Sequence, residues 1–112
     1  MLPKENRLQK TRDFDVVFKK GRFFGTKFLS LKYMENGLAH TRVGFVISTK
    51  ISKSAVKRNR LKRQMREIFR LNLDKIKSGV DISVIAKPGA TELDYMELEK
   101  DILWVLKKVG LI

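Results

Sequence analysis

Apolar residues recur along this chain at two spacings, one helical and one strand-like, and turn residues separate the stretches. Phe14, Val17 and Phe18 share one side of a short first helix. Thr11 stands where an N-cap is needed, and Asp13 follows in the first turn, where the helix dipole favours an anion. Gly21 is placed to end that helix. Residues 27–34 alternate imperfectly, with Phe28, Ser30 and Lys32 against Leu29, Leu31 and Tyr33, and predict a strand. Asn36-Gly37 marks a turn. A second strand runs from Arg42 to Ser48, with Val43, Phe45 and Ile47 on one face and the small set Gly44, Val46 and Ser48 on the other. A face so small admits a ligand, a bulge or a packed helix equally well.

The longest helical pattern covers residues 55–72, capped by Ser54, with Leu61, Met65, Ile68, Phe69 and Asn72 on one side. Asp81 to Lys87 predicts a third strand, apolar enough at Ile82, Val84 and Ile85 to be buried on both faces, and Pro88-Gly89 stops it. Asp94 and Glu97 form a capping box before a last helix whose stripe is Leu98, Ile102, Val105, Leu106 and Val109. Trp104 lies off that stripe, and Gly110 closes the helix. The order α-β-β-α-β-α predicts an α+β sandwich, with helices packed on a small central sheet. A chain of 112 residues suits one domain, 1–112, with residues 1–10 as a flexible basic arm.

Charge narrows the function. The 25 Lys+Arg against 12 Asp+Glu give a formal charge of +13, which costs stability by self-repulsion unless a polyanion neutralises it. Nucleic acid or an anionic membrane surface is the expected partner class. No stretch approaches the roughly 18 apolar residues of a membrane span, and the first residues lack a signal-peptide apolar run, so a cytoplasmic protein with no membrane partner is expected. The absence of cysteine excludes disulfides and thiolate metal sites. His40 is the only histidine and sits by a turn, where it reads as an exposed loop residue rather than a general base.

The positive charge concentrates in Lys50–Arg70, 21 residues with nine Lys/Arg and a single acid. Arg58, Lys62, Arg66 and Arg70 are four apart and stack along one helical stripe, with Arg63 beside it. Like charges at that spacing destabilise an isolated helix by about 0.2–0.5 kcal/mol per pair, so the series calls for a compensating partner. Arginine pairs bidentately with phosphate and stacks on bases. Asn59, a poor helix former amid the run, offers an amide that donates and accepts. A merely solvated charged face is the competing reading.

At this point the residues resemble a family. The order Ala55-Val56, Arg58-Asn59, Lys62-Arg63, Arg66-Glu67, led by Lys50 or Lys53, is similar to the RNR motif of the bacterial ribonuclease P protein component. Asn6-Arg7-Leu8 with Asp13-Phe14 and Val17-Phe18 resembles that family's N-terminal signature. Val43-Gly44-Phe45-Val46-Ile47-Ser48 resembles the strand that precedes its basic helix. The resemblance covers roughly residues 6–108.

It implies a ribosomal protein S5 domain 2-like fold, with a left-handed crossover through the basic helix. It also implies a protein subunit that assists endonucleolytic removal of the 5′ leader from precursor tRNA. The catalyst is then the RNA subunit, with Mg²⁺ held by RNA, one protein per RNA, and neither catalytic nor metal-binding residues in this chain. The basic helix, Lys53, Lys57, Arg58, Asn59, Arg60, Lys62, Arg63, Arg66 and Arg70, would face the catalytic RNA. A cleft between the first helix and the sheet would hold the leader, lined by Phe14, Phe18, Leu31, Val46, Ser48 and Lys50. Leu31 stands where some members carry an aromatic residue. Single strands bind on aromatic platforms worth about 1–3 kcal/mol per base, which agrees.

Three other classes are weighed against this one. A ribosomal or translation-associated RNA-binding protein would share the charge and the sandwich, without the ordered matches. A DNA-binding recognition helix needs a tandem helix, and the segment before Ser54 reads as strand and loop. An independent nuclease needs clustered carboxylates, and Asp13, Asp15, Glu67, Asp74 and Asp81 are scattered.

Overall fold

The computed structural model describes residues 2–112. Helix α1 spans Thr11–Lys20, β1 Arg22–Gly25, β2 Leu29–Glu35, β3 Arg42–Val46, α2 Ala55–Asn72, β4 Val80–Ala86 and α3 Tyr95–Lys108. The strands form one sheet in the order β1-β2-β4-β3. β1 and β2 pair antiparallel, as do β2 and β4, whereas β3 and β4 run parallel and are joined through α2. β4 is thus a central strand, in line with its apolar reading on both faces.

One sheet face is the core. Leu29 and Leu31 of β2, Val43 of β3, and Ile82 and Val84 of β4 project to it. There they meet Leu61, Met65, Ile68 and Phe69 of α2 and Leu98, Ile102, Val105 and Leu106 of α3. Both helices start as their sequences require. Ser54 Oγ accepts from Lys57 N at 3.2 Å, and Asp94 and Glu97 exchange side-chain-to-backbone hydrogen bonds. Asn72, polar on an apolar stripe, is buried with its amide donating to Ile68 O at 2.7 Å.

The other face carries Ser30 and Lys32 of β2, Asp81, Ser83 and Ile85 of β4, and Arg42, Gly44 and Val46 of β3. Helix α1 covers part of it through Val17, which is buried. The packed helix is therefore one reason for the small residues on β3: a Cβ built on Gly44 would lie 2.2 Å from Cζ of Phe14.

The structure departs from the sequence reading at several elements. A fourth strand, β1, pairs with β2 at the sheet edge, making the order α-β-β-β-α-β-α. Its four residues are too few to show an alternation. A tight turn sets its pairing, in which Thr26 N donates to Leu29 O and Thr26 Oγ1 accepts from Leu29 N. β2 and β3 are each shorter at one end than read, β2 starting at Leu29 rather than at residue 27 and β3 stopping at Val46 rather than at Ser48. Thr11 is the first helical residue rather than a cap, and Lys10 in the cap position makes no side-chain cap.

The expected flexible arm is packed along residues 2–8, and Met1 lies outside the described residues. Leu2 and Leu8 are buried, Leu8 N donates to Val43 O at 3.0 Å, and Asn6 donates to Thr41 O at 2.8 Å. Two leucines with only Pro3, Lys4, Glu5, Asn6 and Arg7 between them make too sparse an apolar pattern to show this anchoring. Among the described residues, no helix is long and apolar enough to cross a membrane.

Candidate nucleic-acid interface

Helix α2 presents its cations to two different surroundings. Arg58, Asn59 and Lys62 line a hollow with Phe14, Phe45 and Val46. A second hollow of about 310 Å³ adjoins it, where Lys62 and Arg66 face Arg7, Leu8 and Gly44. Phe14, Phe45 and Lys62 belong to both, so one basic wall runs beside α1. Arg58 donates to Ser52 O at 2.7 Å, which fixes its guanidinium at the start of the helix.

Lys57 and Arg60 lie on another flank: Lys57 pairs with Glu92 at 3.3 Å, and Arg60 donates to Thr91 O at 2.9 Å. Arg70 turns from the stripe to pair with Glu67. That hydrogen bond is the main cause of a raised Arg70 pKa and a lowered Glu67 pKa. Lys53 and Arg63 are exposed. The structure thus brings Arg58, Asn59, Lys62 and Arg66 of the predicted set to one groove, and adds Arg7, which the sequence reading left out.

The aromatic side of the groove is built on α1. Phe14 lies over Gly44, and Phe18 is 61% exposed. Lys32 holds its ammonium 4.1 Å from the Phe18 ring centroid and donates to Phe18 O at 2.7 Å. Val46, on the same sheet face, is 40% exposed. Ser48 and Lys50 follow β3 and are exposed, and Ser48 Oγ accepts from Lys50 N at 3.1 Å.

Leu31 requires correction. It is 4% exposed on the core face, paired with Val84, and cannot line a cleft on the far side. Successive strand residues point to opposite faces, so the position that reaches the cleft is the neighbouring Lys32. The alternation Leu29, Leu31, Tyr33 carries that signal. His40 also differs slightly: it is half-buried, and its carbonyl accepts from Asn36 Nδ2 at 3.1 Å.

An ion cluster holds α1 on the sheet. Arg42 donates to both carboxylate oxygens of Asp81, at 2.8 and 2.6 Å, and to Asp13 of α1 at 3.3 Å. Asn36 Nδ2 adds a bond to Asp81 at 2.9 Å. The hydrogen bond to Asp81 is the largest influence on Arg42 and raises its pKa, against the lowering effect of burial. The clamp fixes the helix that carries Phe14 and Phe18. Among the described residues, no group of three or more His, Cys, Asp or Glu stands close enough to hold a metal ion.

A family model for ribonuclease P matches residues 2–110 of the chain. The chain belongs to the ribonuclease P protein family. It is 43% identical over 107 residues to the ribonuclease P protein component of Alkaliphilus oremlandii, covering 96% of this chain and 93% of the relative. It is 42% identical over 113 residues to that of Pseudanabaena sp., covering 100% and 97%. Among solved structures, a Staphylococcus aureus RNase P protein mutant with defective mRNA degradation activity superposes with a TM-score of 0.91 at 30% identity, covering 97% of this chain and 92% of that one. The Thermotoga maritima RNase P protein gives 0.83 at 35% identity, covering 91% and 96%. Ribonuclease P proteins thus match this chain in sequence, fold and length together.

Proposed function

We propose that this chain is the protein subunit of ribonuclease P, binding the catalytic RNA through α2 and the single-stranded 5′ leader of precursor tRNA through the cleft beside α1. One protein serves one RNA. The observation that carries the reading is a basic wall of Arg58, Lys62 and Arg66 in one groove with the Phe14 ring, while Phe18, four residues on along the same helix, is exposed with a cation on it. A large apolar side chain left in water gains from stacking on bases, which every base sequence offers. The wall matches a phosphate backbone, where each cation displaces a condensed counterion.

The chain's part in leader removal is binding and orientation. Phe14 and Phe18 hold the leader bases, Lys32 braces the Phe18 ring from β2, and the Arg42 clamp keeps that helix in place. Hydrolysis belongs to the RNA subunit with its Mg²⁺. The ribosome-associated alternative has no use for an aromatic cleft beside the basic helix.

The test compares affinities of the reconstituted holoenzyme for precursor and mature tRNA. Phe18→Ala should weaken precursor binding by about fivefold or more, as the loss of one stacked base requires, and leave mature tRNA binding unchanged. An equal loss for both tRNAs would contradict the leader assignment.

A further inference from the structure

Phe23 on the edge strand β1 is 60% exposed, although it is one of the largest apolar side chains in the protein. Its cross-strand partner is Lys32. Directly opposed residues project to the same face of a sheet, so Phe23 and Lys32 are neighbours on the α1 side. The adjacent Phe24 turns the other way and meets Trp104 at 5.9 Å between ring centroids.

Two further observations describe the setting. A Cβ built on Gly25 would stand 3.1 Å from Cζ of Phe23, so the ring reaches along the strand over the bare backbone of Gly25. The same point lies 3.4 Å from Nζ of Lys87. Phe23 therefore has Lys32 opposite it across the ladder and, near its tip, the ammonium of Lys87, which donates to Thr26 O at 2.6 Å. The Lys32 ammonium is the one already seated on Phe18. Phe18, Lys32 and Phe23 thus form a row of ring, cation and ring that crosses from α1 over β2 to β1.

An exposed aromatic on a sheet edge is a hazard unless something covers it. Continuity with the cleft and the flanking cations favour single-stranded RNA. We propose that Phe23 is a third aromatic position of the leader cleft, which takes at least one nucleotide beyond those held at Phe14 and Phe18. The inference rests on the leader-binding reading above. β1 is the strand farthest from β3 in the sheet, so this nucleotide lies farther along the leader, away from the groove under α2.

The experiment measures holoenzyme affinity for precursor tRNAs whose leaders are shortened one nucleotide at a time, with Phe18→Ala, Phe23→Ala and Phe23→Tyr proteins. Phe23→Ala should bind long leaders about 5- to 150-fold more weakly, the range expected for one stacked base. The loss should vanish below a threshold length, and that threshold should be longer than the one for Phe18→Ala. Phe23→Tyr, which keeps the ring, should bind as the unaltered protein does. If Phe23→Ala matches the unaltered protein at every length while Phe18→Ala still shows a leader-dependent loss, the extension is wrong and the cleft stands. If Phe18→Ala shows no leader dependence either, the cleft reading itself falls. A Phe23→Ala loss that persists with leaderless tRNA, or a change in self-association by sedimentation without a change in leader affinity, would also overturn the proposal.

Discussion

Position 44 has no room for a side chain. A Cβ there would overlap the Phe14 ring at 2.2 and 2.6 Å and crowd Leu8 O at 2.9 Å. Gly44→Ala must push Phe14, and with it α1, away from the sheet. Overpacking of this kind costs about 1–3 kcal/mol, partly offset by a stiffer unfolded chain. The variant should lose about 1–2 kcal/mol in urea unfolding and bind leader more weakly in proportion to the displacement of Phe14. Unchanged stability would mean that the ring can turn aside freely. Legibility at this scale was uneven. Phe14 and Phe18 share a helix face at i and i+4, a spacing that fits a core as well as a cleft, and only the structure separates Phe14 over Gly44 from the exposed Phe18. Leu31 falls on the core face rather than in the cleft because, in the pleat, a shift of one residue exchanges core for cleft.

Among the elements, α2 carries the sharpest contrast. Its groove-side cations, Arg58, Lys62 and Arg66, face the hollow beside Phe14, while Lys57 and Arg60 are engaged with the loop at Ala90–Glu92. Arg58→Ala or Lys62→Ala should weaken binding to the catalytic RNA and flatten its salt dependence by about one unit of log-log slope each, measured by filter binding at several salt concentrations. Arg60→Ala should keep nearly the full slope and cost about 1 kcal/mol of stability through the lost bond to Thr91. Equal slopes for all three variants would refute the division of the helix. The helix itself, its Ser54 cap and its basic stripe were legible, because spacing fixes which residues share a face. What the neighbours do with each face was not. The edge strand β1 stayed hidden for a related reason: three residues between Gly21 and Gly25 acquire strand geometry only by pairing with β2.

For the whole molecule the dominant quantity is charge. A formal +13 on 112 residues is repulsive within the free protein and favourable against RNA. If six to ten phosphates are engaged, affinity for the catalytic RNA should fall by about 10³–10⁵ between 50 and 200 mM salt. A salt-independent affinity would contradict an interface made of the basic wall. The layered architecture was readable from periodicity, and the central place of β4 from its apolar run. The packed residues 2–8 were not, since their anchoring depends on Leu2 and Leu8 finding the core and on backbone bonds to Val43. The measurement that bears most directly on the account is cleavage of precursor tRNA by a cognate ribonuclease P RNA at low Mg²⁺, with and without this protein. The account predicts that the protein restores cleavage at the mature 5′ end and that protein alone cuts nothing. Cleavage by the protein without RNA, or tight binding to the cognate RNA with no stimulation, would contradict it.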